Sequence, residues 1–284
     1  MICAATETVH STDHLRKMLA IESIHGSNQS VLDIFGRLVS NSSEVLNSFI
    51  APISSFVGKS SDNSIKNSDY RKTLKAVKVL PFAAYQDTLI QVPEGFTGSL
   101  DKYIEMLLNV HGQLVSAANE VLISYSDELA IFLNNVDHRK SIKNYEAFYK
   151  KMTADRTRFN KEMEVFFKKD SNLSRVKLGS VMSRFGDLDG IFANAEKLEA
   201  VHAKTSLSEL TSNVKHAVSL LGLIRDKVEH DKELNISGQM AMHISEGAYE
   251  AARYVELVSL ACYNIEVGLT TVRNLSEQFN KITG

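Results

Sequence analysis

This 284-residue chain contains three Glu-x-x-His pairs, a spacing that suits the binding of a metal ion. They are Glu7/His10, Glu22/His25 and Glu199/His202. A di-iron helical bundle needs two such pairs and two further inward-facing glutamates on long helices. The last pair alone falls on an apolar helical stripe, and no other long stripe supplies an inward glutamate. The sequence therefore predicts a solvated polar layer at one end of a bundle, with no metal ion and no other cofactor.

The clearest hint of function is a basic segment at residues 139–177. It holds twelve Lys or Arg and five Asp or Glu, a net charge of +7. The flanks are acidic, with ten basic and fifteen acidic residues in 1–138 and ten and fourteen in 178–284. A surface of this kind attracts an acidic partner or a polyanion. The candidate contact residues are Arg139, Lys140, Lys143, Lys150, Lys151, Arg158, Lys161, Lys168 and Lys169.

Aromatic residues alternate with these charges, but they do not indicate stacking on nucleic-acid bases. Most of them occupy the core-facing positions of one helix, so the basic residues are better explained as its solvated face than as a binding surface. The acidic flanks favour a protein partner or self-assembly. Nucleic acid and anionic lipid stay as less favoured partners.

Arg156 and His111 also occupy core positions of their stripes. A buried arginine has to be paired with an acid. A hairpin that turns near Asp170 predicts that Arg156 pairs with Asp187 or Asp189. Such a pair more often fixes the register of two helices than takes part in catalysis.

Motifs for catalysis are absent from the sequence. It contains no phosphate loop, dinucleotide fingerprint, serine elbow, Cys-x-x-Cys or His-Glu-x-x-His. The two cysteines, Cys3 and Cys262, cannot form a disulfide framework, and Cys262 is predicted to be a small buried hydrophobe on an apolar stripe. We therefore predict that the protein is not an enzyme. An enzyme with a site in the bundle core is an alternative.

Apolar residues at alternating spacings of three and four predict the helices that position these groups. The stripes cover residues 32–56, 100–136, 142–166, 178–202, 207–228 and 244–272. Pro52 is predicted to kink or end the first of these helices near Ile50 or Ala51, and no proline follows Pro93. The predicted fold is all-α, an elongated antiparallel helical bundle with coiled-coil-like packing.

The predicted organisation has three parts. They are an N-terminal helical segment at 1–57, a linker or irregular crossover at 58–98, and a long-helix bundle at 99–284. Within 70–98 the residues Thr88–Val92 suit a short strand, so a small β-hairpin is an alternative to an irregular crossover there. The start of the chain lacks the features of a signal peptide, and no window approaches 18 uninterrupted apolar residues. We expect an intracellular, cytoplasmic protein or one packaged inside an assembled particle such as a virion.

Low proline content, long helices and segregated charge predict a non-enzymatic structural or assembly protein. Such a protein is a homo-oligomer or a helical subunit of a larger complex. The overall pattern, and no single motif, is similar to that of internal or connector virion proteins of large tailed bacteriophages. A membrane-active helical bundle, pore-forming or lipid-surface binding, is the alternative that the apolar segment 49–57 and the basic helix favour.

Overall fold

The computed structural model describes residues 28–54, 56, 81–134, 150–151, 154–159, 161, 173–182, 184–204, 207–230 and 238–283. Over this part of the chain the protein is all-α with a small two-stranded antiparallel sheet, which confirms the predicted fold class. The pairs Glu7/His10 and Glu22/His25 lie outside the described residues.

Over the described residues the helices follow the predicted apolar stripes closely. Those whose ends are described are α1 (Asn28–Asn47), α2 (Ile50–Ser54), α3 (Leu100–Leu133), α4 (Phe185–Lys204), α5 (Leu207–His230) and α6 (Gly238–Thr283). Residues 154–159, part of the 142–166 stripe, are helical as well. The strands are β1 (Leu89–Pro93) and β2 (Leu173–Lys177). The stripe that begins at Leu178 becomes α-helical only at Phe185, because Leu178–Ser180 form a short 3-10 turn directly after β2.

Pro52 breaks the first helical stripe slightly earlier than predicted. The helix ends at Asn47, and α2 then begins at Ile50. Proline has no N–H, and its ring clashes with the carbonyl four residues before it, here that of Ser48. The break therefore falls at Ser48 and Phe49, while Pro52 is accommodated in the first turn of the next helix.

The chain forms two compact units that are interleaved along the sequence. Unit 1 consists of Met1–Ser54, Ser116–Asn160 and Leu207–Glu256. Unit 2 consists of Ser55–Val115, Lys161–Ser206 and Leu257–Gly284. The helices α3 and α6 contribute residues to both, so the predicted 99–284 bundle is shared between the two units.

In unit 1, α1 and α2 pack on α5. The rings of Phe35 on α1 and Phe132 on α3 have centroids 5.8 Å apart. The Tyr125 hydroxyl of α3 donates to the Ile244 carbonyl of α6 at 2.9 Å. These contacts join four long helices into one apolar core, as burial of one face of each amphipathic helix requires.

In unit 2, β1 pairs antiparallel with β2, from Leu89 opposite Lys177 to Pro93 opposite Leu173. The amides of Leu178 and Gly179 extend the pairing by donating to the carbonyls of Thr88 and Gln86, at 2.8 and 2.9 Å. The strand predicted near residues 88–92 is thus present. In the part of the chain that the structure describes, its partner is β2 at 173–177. The sequence analysis does not single out β2, because five residues are too few to stand out between two helical stripes.

The helices α3 and α6 approach each other closely in unit 2 at Gly268. A Cβ atom at this position would lie 2.9 Å from Leu107 Cδ1 and 3.0 Å from Ile104 Cδ1. Nearby, the Tyr103 hydroxyl donates to Asn264 Oδ1 at 2.8 Å. Glycine therefore leaves room for the Leu107 and Ile104 side chains of α3 to pack against α6, and the tyrosine–asparagine bond satisfies polar groups buried at the contact.

We expect Gly268→Leu to lower the free energy of unfolding by about 1–3 kcal/mol, because a larger side chain overpacks the contact with α3. The matched control is Gly112→Ala on α3, where an added Cβ meets nothing within 4 Å. That substitution should raise the free energy of unfolding by about 0.5–1 kcal/mol through helix propensity alone. Urea denaturation of both variants checks the prediction, and equal stability of the two would contradict it.

Candidate metal-binding site

Three helices of unit 2 place His111, His202 and Cys262 next to one another. One nitrogen from each imidazole and the Sγ atom of Cys262 all lie within 4.8 Å of one another. His111 Nε2 and His202 Nδ1 are 3.3 Å apart. The exposed fractions of His111, His202 and Cys262 are 0%, 8% and 0%. The cluster therefore brings two nitrogen ligands and one sulfur ligand together in the interior.

Each member of the cluster occupies a core position of its helix. The buried apolar neighbours on the same helices are Leu107 and Leu114 for His111, Leu198 for His202, and Val258 and Ile265 for Cys262. Residues three or four apart share one face of a helix. The ligand side chain of each helix therefore lies on the buried apolar face of that helix. The helices α3, α4 and α6 supply one ligand each.

Burial keeps both imidazoles neutral at neutral pH. Desolvation, and then the electrostatic effect of His202, lowers the pKa of His111 from 6.5 to about 3. Desolvation also lowers the pKa of His202. Burial, and then the charge of Glu266, raises the pKa of the Cys262 thiol to about 12. The three side chains without a metal ion are therefore uncharged, and both imidazoles keep a lone pair for coordination.

Hydrogen bonding satisfies the cluster only in part. His202 Nδ1 and His111 Nε2 share one N–H···N bond, whose direction depends on the tautomers. His111 Nδ1 is buried and has no hydrogen-bond partner among the described residues. A buried polar atom left unpaired costs about 1–3 kcal/mol. Two imidazoles and a thiolate are ligands that zinc and copper ions bind well.

The sequence prediction singled out His202 but not its neighbours. Glu199, the predicted companion, forms an ion pair with Arg273 of α6, with 3.5 Å between Oε1 and Nη2. The predicted solvated layer is wrong for His202, because His111 and Cys262 pack against it in the interior. Both of these residues were placed on core stripes, but only the register of three helices brings them together.

The structure corrects the predicted partner of Arg156. In unit 1 its Nε and Nη2 atoms donate to Glu250 Oε2 and Oε1, at 2.6 and 3.1 Å. The two side chains are 14% and 5% exposed, so this is a largely buried bidentate ion pair. Asp187 accepts instead from Arg184 at the start of α4, and Asp189 is exposed on that helix. The prediction failed because it recognised no inward-facing glutamate on α6.

The described members of the basic segment lie on the surface. Lys150, Lys151, Arg158 and Lys161 are exposed, whereas Phe159 is buried. Lys151 forms an exposed ion pair with Glu120 at 3.1 Å. The remaining candidates, Arg139, Lys140, Lys143, Lys168 and Lys169, lie outside the described residues.

No protein-family model, curated protein or solved structure matches the chain. By length and composition alone, the stretch His243–Phe279 of α6 could cross a membrane. In its most apolar window 56% is buried inside the protein. A core helix of a soluble protein passes the same test, so this feature gives little support to a membrane role.

We expect Arg156→Met to lower the free energy of unfolding by about 3–5 kcal/mol, because it leaves the Glu250 carboxylate buried without its partner. Lys151→Met is the control, since its pair with Glu120 is about 60% exposed on both sides and should contribute no more than about 1 kcal/mol. The double variant Arg156→Met/Glu250→Met should recover most of the loss. Urea denaturation measures all three, and an Arg156→Met cost no larger than the control contradicts the buried-pair interpretation.

We expect the metal-free protein to lose stability as the pH falls below about 6.5. The unfolded chain protonates His111 and His202 there, whereas the folded protein keeps His111 neutral until about pH 3. Each of these histidines therefore contributes a slope of up to about 1.4 kcal/mol per pH unit. In a chelator, His111→Leu should flatten the dependence of unfolding free energy on pH between 6.5 and 4. The control His216→Leu alters an exposed residue of α5 and should leave the wild-type slope unchanged.

Proposed function

We propose that the protein is a non-enzymatic structural subunit that associates with further protein chains, and first with copies of itself. The observation that carries the proposal is the exposure, in unit 1, of the basic residues Lys150 and Arg158 in the segment that contains the buried Phe159. A subunit of this kind belongs in the cytoplasm or inside an assembled particle, and the virion of a tailed bacteriophage is one such particle.

Charge complementarity makes a second copy the favoured partner. Exposed carboxylates lie on several helices outside the basic segment, including Glu44, Glu105, Asp127 and Glu209. The net charge of +7 on residues 139–177 is opposite in sign to the net charge of each flank. Complementary surfaces of this kind steer association and fix its register, and their effect weakens as salt increases.

Nucleic acid is the less favoured partner. Single strands are bound sequence-tolerantly by aromatic side chains that stack on bases, next to a basic groove. Phe159 is 1% exposed and packs against Tyr254 with ring centroids 6.3 Å apart. Its ring is therefore occupied by the protein core, and the basic side chains beside it supply charge without a stacking surface.

An enzyme and a membrane-active bundle are supported less well. The His111, His202 and Cys262 cluster is the best candidate for chemistry, but its burial keeps a substrate away from it. The apolar segment 49–57 is one of the features that favour a membrane role. Two of its large residues, Ile53 and Phe56, are buried in the protein and so present no apolar surface to lipid.

We expect the full-length protein to form a salt-sensitive oligomer that is free of nucleic acid. Raising the salt from about 0.01 M to about 1 M shortens the Debye length from about 30 Å to about 3 Å and should dissociate it. Light scattering after size exclusion, with absorbance at 260 and 280 nm, measures both properties. A monomer at both salt concentrations would contradict self-association and leave only partner chains of other sequence.

A charge-reversal pair localises the contact. Lys150→Glu/Lys161→Glu should weaken the low-salt oligomer, because both exposed residues lie in the basic segment. Lys102→Glu/Lys215→Glu changes the net charge equally at exposed positions outside that segment and should leave the oligomer intact. Equal effects of the two double variants would show that net charge, and not the basic segment, controls association.

A further inference from the structure

We infer that His111, His202 and Cys262 together bind one late transition-metal ion, held by two imidazole nitrogens and one thiolate sulfur inside unit 2. The proposed assembly function does not require this site, so the inference goes beyond it. The ion joins α3, α4 and α6 through coordination bonds. It therefore acts as an internal cross-link and not as a reaction centre open to a substrate.

The separation of the two imidazoles fits ligation of one ion. Two nitrogens bound at 2.0–2.1 Å to a tetrahedral or trigonal metal lie about 3.3–3.6 Å apart. His111 Nε2 and His202 Nδ1 are 3.3 Å apart. The thiol sulfur completes a set of three atoms within 4.8 Å of one another, so small movements of side chains would close the site around an ion.

A hydrogen-bonded histidine pair is the simpler explanation, but it accounts for only part of the cluster. One N–H···N bond uses one nitrogen of each ring and gives no reason for a thiol at the third corner. Ligation through His111 Nε2 leaves the buried His111 Nδ1 without a partner among the described residues, just as the hydrogen-bonded pair does, so this atom does not distinguish the two explanations. Coordination explains why two imidazoles and one thiol converge from three separate helices.

Charge balance distinguishes the two ions that suit this ligand set. Cu⁺ with one thiolate and two neutral imidazoles gives an uncharged site, which a buried environment tolerates. Zn²⁺ leaves one positive charge in the interior and calls for a fourth ligand. The shared chemistry is the N₂S ligand set, and Cu⁺ is the better match in charge. With either ion Cys262 releases its proton to solvent, so binding tightens as the pH rises.

Burial also determines how the ion enters. His111 and Cys262 are 0% exposed, so an ion reaches them when the helices open locally or while the chain folds. Metal binding and folding are then linked, as in other proteins whose metal sites are closed. A test on the folded protein alone would therefore miss slow uptake, and the ion has to be present during refolding as well.

The test refolds the full-length chain from urea with Zn²⁺ in one arm and, under anaerobic reducing conditions, with Cu⁺ in the other. After desalting, native mass spectrometry counts the ions bound to each folded chain. We expect one ion per wild-type chain in at least one arm, and the arm that retains it identifies the ion. Cys262→Ala and His202→Gln should weaken binding by at least about 100-fold and so retain none.

Two matched controls test whether the ion is in this cluster. Cys3→Ser removes the other thiol of the chain, and His216→Gln removes an imidazole exposed on α5. Both should retain the ion as the wild type does. A wild-type chain that retains no ion in either arm overturns the inference, and so does a folded Cys262→Ala protein that retains as much as the wild type.

A second measurement tests whether Cys262 binds the ion even if the cluster variants fail to fold. X-ray absorption at the metal edge of the loaded Cys3→Ser protein should show one sulfur neighbour together with imidazole nitrogens. Sulfur at about 2.3 Å from zinc, or a comparable short copper–sulfur distance, supports ligation by Cys262. A bound ion surrounded by nitrogen and oxygen alone overturns it.

Discussion

The close contact between α3 and α6 at Gly268 is the constraint on which the buried cluster depends. Gly268 lies six residues after Cys262, and its contact Leu107 lies one turn before His111. Because the two helices run antiparallel here, this contact brings Cys262 level with His111. Each residue along a helix turns its side chain by about 100°, so a one-residue slip would point a ligand away from the others.

Much of the helical fold was predictable because an apolar stripe is a local property of the chain. The stripe from Leu100 became α3, and the stripe at 244–272 lies within α6. Tertiary pairing is not local, and the sequence indicated β1 without identifying β2 as its partner. The partner of β1 lies 80 positions further on, at Leu173 opposite Pro93, and nothing in a five-residue strand specifies which distant strand it joins.

In the candidate site, too, the local pattern was predictable and the tertiary contacts were not. His111, His202 and Cys262 were each placed on a core face by the spacing of their neighbours, but the register between helices, which a single sequence does not specify, brings them together. For Glu250, by contrast, the sequence did not predict even the buried position. It is 4% exposed, yet a carboxylate among apolar residues is recognisable as buried only once its partner Arg156 is known. Buried charges are stable in pairs, so a prediction that places Arg156 in the core without locating its acid misses Glu250.

The interleaving of the two units has a consequence for how this protein can be divided. The chain passes from one unit to the other after Ser54, Val115, Asn160, Ser206 and Glu256. No single cut in the backbone separates the units, and any deletion from the C-terminus that passes Glu256 removes part of both. Neither unit is encoded by one continuous stretch of the gene. Recombination or truncation therefore alters both units together, and the shortest continuous segment that contains all of either unit is most of the chain.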